Sequence, residues 1–280
     1  MDTPIIITKA NGQSVPFDEH KLRRSLRRAH IPAEHHDALV AEVVDHLHDG
    51  TTTKDIYAHV NGFFSKTYPI GACRYGLKQA IMELGPSGYP FERYVGALLK
   101  HRGYDVQVGV IIPGSCVSHE VDVLAKKGSE HFMIECKFHN QPGTRSDVKV
   151  SLYVQARYLD IAQKWRAQEP VEEREEVHQA WLVTNTKCTS DALAYAACVG
   201  MRVIGWNYPE RGNLQDMIES ANLQPVTSLC SLSNSQKQYV LEKDIVLARD
   251  LGQAAGIIEE LHLDATAEGQ LREELKVMAL

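Results

Sequence analysis

The most informative absence in this sequence is that of a long apolar segment. No stretch among the 280 residues approaches the roughly eighteen consecutive apolar residues that a membrane-spanning helix requires. The first residues, MDTPIIITKA, contain a short apolar run that no basic residues precede, so they do not have the pattern of a signal peptide. The sequence therefore predicts a protein that is neither secreted nor inserted in a membrane.

Cysteine is scarce and irregularly placed. None of the six cysteines belongs to a C-x-x-C pair, and they follow no regular spacing: Cys73, Cys116, Cys136, Cys188, Cys198 and Cys230. This arrangement indicates neither a disulfide framework nor a structural zinc site. It favours a reducing compartment, and we expect a cytoplasmic protein.

A surplus of basic charge is also missing. The net charge is -6, and it is unevenly distributed. Residues 1–85 hold 10 basic and 10 acidic residues, residues 86–212 hold 15 of each, and residues 213–280 hold 5 basic and 11 acidic residues. Because nonspecific nucleic-acid binding depends on clustered Lys and Arg, we expect the C-terminal residues to contact protein rather than phosphates.

Turn-forming residues divide the chain. Gly85-Pro86-Ser87-Gly88-Tyr89-Pro90 interrupts two helical patterns, so we place a linker there and predict three segments, 1–85, 86–212 and 213–280. The first segment predicts a short β-hairpin followed by helices. We place its strands at 5–8 and 15–17, its turn at Asn11-Gly12, its helix caps at Asp18 and Thr53, and its last helix at roughly 71–84.

The second segment predicts a mixed α/β (α+β) domain in which helices flank one sheet. A helix near 91–103 precedes three alternating strands, near 104–112, 117–125 and 131–138. A long helix from about 147 to 165 follows, with an apolar stripe at Val148, Leu152, Leu159 and Ala162. A strand, a helix and a strand complete the domain, and the C-terminal residues predict helices.

Charged residues stand on one face of two neighbouring strands. Glu135 and Lys137 point the same way, because side chains alternate along a strand, and a hairpin would place Asp122 beside Glu135. Paired carboxylates repel each other but suit a hard divalent cation such as Mg²⁺ or Mn²⁺. A metal bound there would activate water against a phosphate, with Lys137 orienting or deprotonating that water. The alternative is that Glu-Cys-Lys is only the solvated face of an edge strand.

The segment resembles the PD-(D/E)xK nuclease superfamily, and within it the Mrr-like restriction endonucleases, over about 86–207. The matching parts are the helix from Gly88 to Gly103, His119-Glu120-Val121-Asp122, Ile134-Glu135-Cys136-Lys137 and Leu182-Val183-Thr184-Asn185. The resemblance implies an endonuclease acting on DNA, with Asp122, Glu135 and Lys137 in the catalytic positions. It also implies that Glu92 helps to bind the metal with Asp122 and Glu135, and that Gln155 touches the active site.

Two of these residues have an ordinary alternative. Glu92 is equally consistent with a surface carboxylate on the leading helix, and Gln155 with an exposed amide on the long helix. His119 and His139 flank the motif strands. They could contact DNA phosphates, but isolated histidines of this kind are more often surface residues or hydrogen-bonded core residues.

Basic residues gather near the first helix of the chain. Lys9 follows a strand and Lys21 lies in the first helical turn, where free backbone N–H groups favour phosphate binding, and apolar Ile7, Val15 and Phe17 could enclose a base. Without a P-loop, the alternative is a solvated basic face at Arg23, Arg24, Arg27 and Arg28.

Residues 3–85 resemble the ATP-cone, the regulatory module of ribonucleotide reductases and their repressors. The match includes Lys9, Asn11-Gly12, Val15-Pro16-Phe17-Asp18, Lys21, Arg24 and residues 49–56. It implies that ATP or dATP binds for regulation and is not hydrolysed. Lys9 and Lys21 would lie near the phosphates, with Thr53 and the Ile7 strand around the adenine. Many ATP-cones carry a second basic residue where Ala10 stands.

The C-terminal stretch 232–251 suggests two short helices that turn at Lys243-Asp244. A DNA-binding helix-hairpin-helix would have a glycine in that turn and basic flanks, and both are missing, so a packing or oligomerisation element is preferred.

These features predict a nucleotide-regulated endonuclease in which ATP or dATP shifts a homo-oligomer, a dimer or tetramer, and which could act in defence against foreign DNA. A catalytically inactive, nucleotide-sensing DNA-binding or scaffolding protein is the alternative. A nuclease acting on RNA or on branched DNA is a third possibility.

Overall fold

A computed structural model describes residues 4–9, 12–29, 31–168 and 178–278. Contacts between residues divide the chain into two compact units. One consists of Met1–Ile81 together with Gln224–Leu280, and the other is the uninterrupted stretch Met82–Leu223. The first and last predicted segments thus lie mainly in one unit, while residues 213–223 lie in the other. No helix in the described ranges is both long enough and apolar enough to cross a bilayer.

The N-terminal part of the discontinuous unit is a small hairpin followed by helices. Strands β1 (Ile6–Thr8) and β2 (Ser14–Pro16) pair antiparallel, with Ile7 opposite Val15. The helices are α1 (Glu19–Arg28), a 3₁₀ turn (Ala33–His35), α2 (His36–Asp45), α3 (Thr53–Thr67), α4 (Pro69–Tyr75) and α5 (Leu77–Met82). The turn residue Asn11 lies outside the described residues.

Capping side chains determine where two of these helices begin. Asp18 accepts a hydrogen bond from the backbone N–H of Lys21, as predicted. The predicted cap at Thr53 is wrong by one residue, because Thr52 caps α3 in a reciprocal arrangement with Asp55. The single helix predicted over 71–84 is interrupted at Gly76, where a Cβ atom would lie 2.8 Å from the Tyr57 hydroxyl oxygen.

The C-terminal part of the same unit is helical, as predicted. A 3₁₀ turn (Val226–Ser228) precedes α10 (Asn234–Glu242), α11 (Ala248–Gln253), α12 (Ala255–Glu260) and α13 (Ala265–Met278). Asp244 has a φ of 64° and turns the chain after α10. The spacing of the cysteines indicated no disulfide framework. This expectation is wrong for one pair, since a disulfide joins Cys73 to Cys230, which are 157 positions apart in the sequence.

The continuous unit is the mixed α/β domain that the sequence predicts. Its elements are α6 (Tyr89–His101), β3 (Asp105–Pro113), β4 (Ser118–Lys127), β5 (Glu130–Lys137), β6 (Arg145–Ser146), α7 (Val148–Gln168), β7 (His178–Thr184), β8 (Lys187–Cys188), α8 (Ser190–Cys198), β9 (Arg202–Ile204) and α9 (Leu214–Ala221). Five strands form the main sheet, in the order β3-β4-β5-β7-β9.

The strand directions follow from the connections. Tight turns join β3 to β4 and β4 to β5, so these pairs are antiparallel, whereas the helical crossovers α7 and α8 make β5, β7 and β9 parallel. Helix α7 packs on the sheet with Val154 and Ile161. The predicted stripe on α7 is partly wrong, because Leu152 and Leu159 are exposed while the polar Ser151 and Gln155 are buried.

Candidate active site

Asp122 lies where the ladder between β4 and β5 has ended and where the ladder between β3 and β4 is interrupted at one position. The register that pairs Val123 with Ile134 places Asp122 opposite Glu135, yet the backbone ladder ends at Val123. Instead, the Asp122 carboxylate accepts a hydrogen bond of 2.7 Å from the backbone N–H of Cys136. On the other side the pairing skips Gly109, whose φ of 64° is accessible to glycine. The side chain thus takes the place of a missing ladder bond.

The two motif strands have the predicted alternation of faces. Val121 and Val123 are buried on either side of Asp122, and Ile134 and Cys136 are buried opposite the face that Glu135 presents. The Glu135 side chain is largely buried, and Lys137, at the end of β5, is exposed. The strand therefore ends with a shielded carboxylate and an ammonium group that solvent can reach.

Glu92 belongs to the same group of charges. It lies in the first turn of α6, and the pKa of its carboxyl is raised to about 7 by burial and by the negative charges of Asp122, Glu120 and Glu135. A surface carboxylate far from the motif strands would not experience these charges. The structure thus brings together Glu92, Asp122 and Glu135, and adds Glu120, which the sequence analysis did not propose as a site residue.

Arg157 is a second residue that the sequence analysis missed. Its guanidinium, on α7, is ion-paired with the Glu135 carboxylate, and both side chains are largely buried. The guanidinium also lies over the Tyr153 ring, 5.0 Å from its centroid. The sequence signal that could have identified Arg157 was its basic side chain two positions after Gln155 on the long helix.

Burial and like charge act in the same direction on the two motif carboxylates. Burial is the main cause that raises the pKa of Asp122 and of Glu135 above their ordinary values, and the Asp122 charge raises the pKa of Glu135 further. Arg157 and Lys137 oppose this effect at both residues. Both pKa values remain raised, so the nearby cations offset the effects of burial and of like charge only in part.

Gln155 is buried, with 9% of its surface exposed, so the alternative of an exposed helical amide is wrong. Helix α7 buries this polar residue together with Ser151, whose hydroxyl donates to the backbone oxygen of Ala192 at 3.3 Å.

Hydrogen bonds hold the loop that follows β5. The buried Asn185 side chain accepts from the backbone N–H of His139 and donates to its carbonyl oxygen, both at 2.8 Å. The His139 ring is 3.0 Å from the Ser146 hydroxyl. The motif residue Asn185 thus fixes the backbone just beyond Lys137, and His139 is a hydrogen-bonded residue of the loop.

The turn between β3 and β4 is fastened to α7 by Asp160. The Asp160 carboxylate accepts hydrogen bonds from the backbone N–H groups of Cys116 and Val117, and lies 2.8 Å from the His119 ring nitrogen. A Cβ atom on Gly114 would lie 2.1 Å from that carboxylate and 2.6 Å from the backbone oxygen of Val117, so this position favours glycine. His119 therefore serves the packing of this turn.

The carboxylates of Glu92, Asp122 and Glu135 are donors that suit a hard divalent cation. Three carboxylates with raised pKa values and incomplete charge compensation would be relieved by Mg²⁺ or Mn²⁺, both of which prefer oxygen ligands. Their oxygens are not all within 4.8 Å of one another; among the described residues, only Cys73, Cys230 and Glu274 group that closely. In this arrangement the Glu135 carboxylate is paired with Arg157.

Six of the seven residues predicted to bind nucleotide line one cavity of about 280 Å³ in the discontinuous unit. They are Ile7, Lys9, Val15, Phe17, Lys21 and Thr53. Tyr57 and Tyr75 line the same cavity, and their rings are stacked with centroids 5.9 Å apart. Arg24 is exposed and does not line it. The cavity thus combines two lysines with an apolar and aromatic wall.

Comparisons with known proteins match two parts of the chain. Residues 85–210 match the family model of a restriction endonuclease, and residues 225–278 match that of the AF1548-like C-terminal region. An uncharacterized protein of Archaeoglobus fulgidus is 36% identical over 154 residues, which cover 55% of this chain and 81% of the relative.

Two solved structures are similar. The protein of unknown function AF1548 is 33% identical, with a TM-score of 0.55 over 69% of this chain and 99% of that one. The MspJI restriction endonuclease, in complex with a 27-mer oligonucleotide, is 13% identical, with a TM-score of 0.32 over 53% of this chain and 31% of that one. The second score is too low to carry an argument.

Proposed function

This chain belongs to the AF1548-like protein family, and we propose that its continuous unit is a metal-dependent endonuclease that hydrolyses phosphodiester bonds of DNA. One observation carries the proposal. The charges of Asp122 and Glu135 raise the pKa of Glu92, and the charge of Asp122 raises the pKa of Glu135, near the end of β5 where Lys137 is exposed. The match of residues 85–210 to a restriction endonuclease model supports the same reaction class.

Glu92, Asp122 and Glu135 would hold Mg²⁺ or Mn²⁺. When bound, such an ion lowers the pKa of a water molecule and binds a phosphate oxygen. The partly buried carboxylates gain from this charge, because burial raises the free energy of their ionised forms.

The other residues of the site would act on water and on phosphate. Lys137, exposed at the end of β5, would orient or deprotonate the attacking water and stabilise negative charge on the phosphate. The backbone beside Lys137 is held in place, because the Asn185 side chain forms two hydrogen bonds with the backbone of His139. Gln155, which is buried on α7, would contribute a polar contact to the bound substrate.

A cleavage assay tests this function. Supercoiled plasmid is incubated with Mg²⁺ or Mn²⁺ and with the wild-type protein, the Lys137→Ala variant or the matched Lys126→Ala variant. Lys126 is an exposed lysine near the end of β4, where it pairs with His131 at the start of β5. We expect Lys137→Ala to reduce the cleavage rate by at least about 100-fold and Lys126→Ala to leave it nearly unchanged. Equal cleavage by the wild-type and Lys137→Ala proteins would overturn the proposal.

The discontinuous unit would bind ATP or dATP as a regulatory ligand. The supporting observation is the cavity of about 280 Å³ in which Lys9 and Lys21 accompany the aromatic residues Phe17, Tyr57 and Tyr75. Lysines suit phosphates, and aromatic walls suit a base. Nucleotide binding would shift a homo-oligomer, a dimer or tetramer, and thereby control cleavage, for example in defence against foreign DNA in the cytoplasm.

Size-exclusion chromatography with light scattering, run with and without dATP, tests the regulation when cleavage is assayed on the same fractions. We expect nucleotide to change both the molar mass and the cleavage rate. If both stay unchanged at saturating nucleotide, the regulatory proposal fails while the nuclease proposal stands.

The second candidate is a nucleotide-sensing DNA-binding or scaffolding protein without catalysis. The pairing of Glu135 with Arg157 favours it, because a guanidinium at this carboxylate competes with a metal ion. Calorimetry with Mn²⁺ separates the candidates. Binding that is lost in Asp122→Asn supports the enzyme, whereas nucleotide binding without any metal binding supports the scaffold.

A further inference from the structure

Two cysteines from distant parts of the sequence meet in the discontinuous unit. Cys73 lies on α4 and Cys230 follows the 3₁₀ turn Val226–Ser228, and the structure joins their sulfur atoms. Their Cα atoms are 5.8 Å apart, which is within the usual range for a disulfide. The bond fastens the C-terminal helices to the N-terminal ones within this unit.

The two cysteine residues differ in exposure. Cys73 is buried, with 2% of its surface exposed, whereas Cys230 is exposed. Thiol–disulfide exchange proceeds by attack of a thiolate on one sulfur while the other leaves. An external thiol can therefore reach Cys230, and Cys73 is the sulfur that leaves.

A carboxyl group stands beside the pair. Glu274, on α13, has an oxygen within 4.8 Å of both sulfur atoms. It accepts hydrogen bonds from the backbone N–H and the hydroxyl of Ser231, at 3.2 and 2.9 Å. Burial nevertheless raises its pKa. A carboxyl group in this state can hold a proton close to a departing sulfur.

Other contacts keep the segment in place without the bond. The Thr227 hydroxyl donates to the backbone oxygen of Ala80 at 2.6 Å, and Arg74 donates to the backbone oxygen of Val277 at 3.3 Å. The neighbouring Leu229 and Leu232 are buried. Because these interactions do not involve sulfur, the cysteines stay close when reduced, and the bond can form again.

We propose that Cys73, Cys230 and Glu274 form a redox site at which exchange with a small thiol reversibly breaks the covalent link between Cys230 and Cys73 of α4. In reduction, the thiolate of a small thiol attacks Cys230 Sγ, and the Cys73–Cys230 bond breaks. Its electron pair passes to Cys73 Sγ, which takes a proton from the Glu274 carboxyl. A second thiolate attacks the sulfur of the first small thiol and releases Cys230 as a thiolate. The two protons lost when the small thiols ionised return through solvent to Cys230 Sγ and to the Glu274 carboxylate.

The net reaction balances. One protein disulfide and two small thiols give two protein thiols and one small disulfide, so two electrons and two protons enter the protein. In the reverse direction a small disulfide is the oxidant and the Glu274 carboxylate takes the proton of Cys73. The site needs no metal and does not depend on the proposed nuclease or nucleotide functions.

A redox titration of the full chain tests the site. The protein is equilibrated with glutathione buffers of increasing oxidised fraction, quenched with acid and alkylated, and the peptide containing the Cys73–Cys230 bond is quantified by mass spectrometry. We expect a reversible two-electron transition. The oxidised protein should have a melting temperature several degrees higher than the reduced one, since the bond closes a long loop. In Cys230→Ser this difference should vanish, and in Cys198→Ser, an exposed free cysteine, it should persist.

The Glu274→Gln variant tests the carboxyl group. We expect its exchange rate to fall at least about fivefold near neutral pH and to lose part of its pH dependence, which loss of packing alone would not cause. If this variant does not fold, Glu274→Asp serves the same purpose, with partial retention expected. Three results would overturn the proposal: a bond that resists excess reduced glutathione in the native protein, a pair that never oxidises, or a reduced pair that binds one equivalent of Zn²⁺ instead of oxidising.

Discussion

The Arg157 guanidinium donates a hydrogen bond to the Glu135 carboxylate and forms an ion pair with it. One of the carboxylates that we propose as metal ligands is therefore already paired with a positively charged side chain. The two residues are 22 positions apart, and they meet because α7 packs on the sheet. Metal binding at Glu135 and ion pairing with Arg157 therefore compete for the same oxygen atoms.

The competition predicts the effect of Arg157→Gln. Removal of the guanidinium frees Glu135 and makes the site more negative, so we expect the apparent Kd for Mn²⁺ to fall roughly tenfold. Isothermal titration calorimetry measures this change. Arg166→Gln, which alters an exposed arginine in the last turn of the same helix, is the matched control and should bind Mn²⁺ like the wild type. Weaker binding in Arg157→Gln would mean that the arginine orders Glu135 for the metal.

Glu92 predicts a pH dependence of stability in the metal-free protein. Its pKa is about 7 in the folded state and about 4.5 when unperturbed, so the unfolded chain releases this proton at lower pH. The protonated carboxyl favours folding below the unfolded value, and this contribution is lost as pH rises through about 7. In EDTA, the wild type should therefore lose stability between pH 5 and pH 8.

Glu92→Gln isolates this contribution. At pH 8 without metal, we expect the variant to be more stable than the wild type by roughly 1–2 kcal/mol, a value already reduced for solvent screening of a half-buried group. At pH 5 the difference should be small. Urea denaturation at both pH values measures it, and an equal difference at both would show that ionisation of Glu92 is not its cause.

The buried hydroxyl of Tyr94 predicts a stability effect within the continuous unit. Tyr94 is fully buried, and its hydroxyl donates to the backbone oxygen of Leu223 at 2.6 Å. Tyr94→Phe leaves that oxygen without a partner and should lower the free energy of unfolding by about 1–2 kcal/mol. The control is Tyr89→Phe on the exposed face of the same helix, for which we expect a change below about 0.5 kcal/mol. Chemical denaturation gives both values.

The cavity that we propose to bind nucleotide predicts different outcomes for two basic residues one turn apart. Lys21 lines the cavity and Arg24 does not. Lys21→Ala should weaken ATP or dATP binding at least about tenfold, because a charged contact to phosphate is lost, whereas Arg24→Ala should leave binding nearly unchanged. Calorimetry on the full chain measures both. Equal losses would place the phosphates along the exposed face of α1 instead.

Local patterns predicted much of the fold and most of the candidate site. Alternation along β4 and β5 indicated which side chains share a face, and the hairpin turns set the pairing that places Asp122 opposite Glu135. These features depend on neighbours within a few residues, which a single sequence displays.

Other features depend on contacts that sequence spacing does not reveal. Apolar periodicity misassigned the buried face of α7, since Ser151 is buried with its hydroxyl bonded to α8 while Leu152 is exposed. The pairing of Arg157 with Glu135 depends on how that helix crosses the sheet. The partnership of Cys73 with Cys230 spans 157 positions, and no motif marks it.

The continuous unit interrupts the sequence of the other one, and this order has a consequence for biosynthesis. A ribosome completes Met82–Leu223 before it has made Gln224–Leu280, which the first unit needs for its own packing. Domains commonly fold as they emerge. The nascent chain would thus carry a complete Met82–Leu223 unit while the unit proposed to bind nucleotide is still incomplete, so the proposed regulation would require Gln224–Leu280 to be made first.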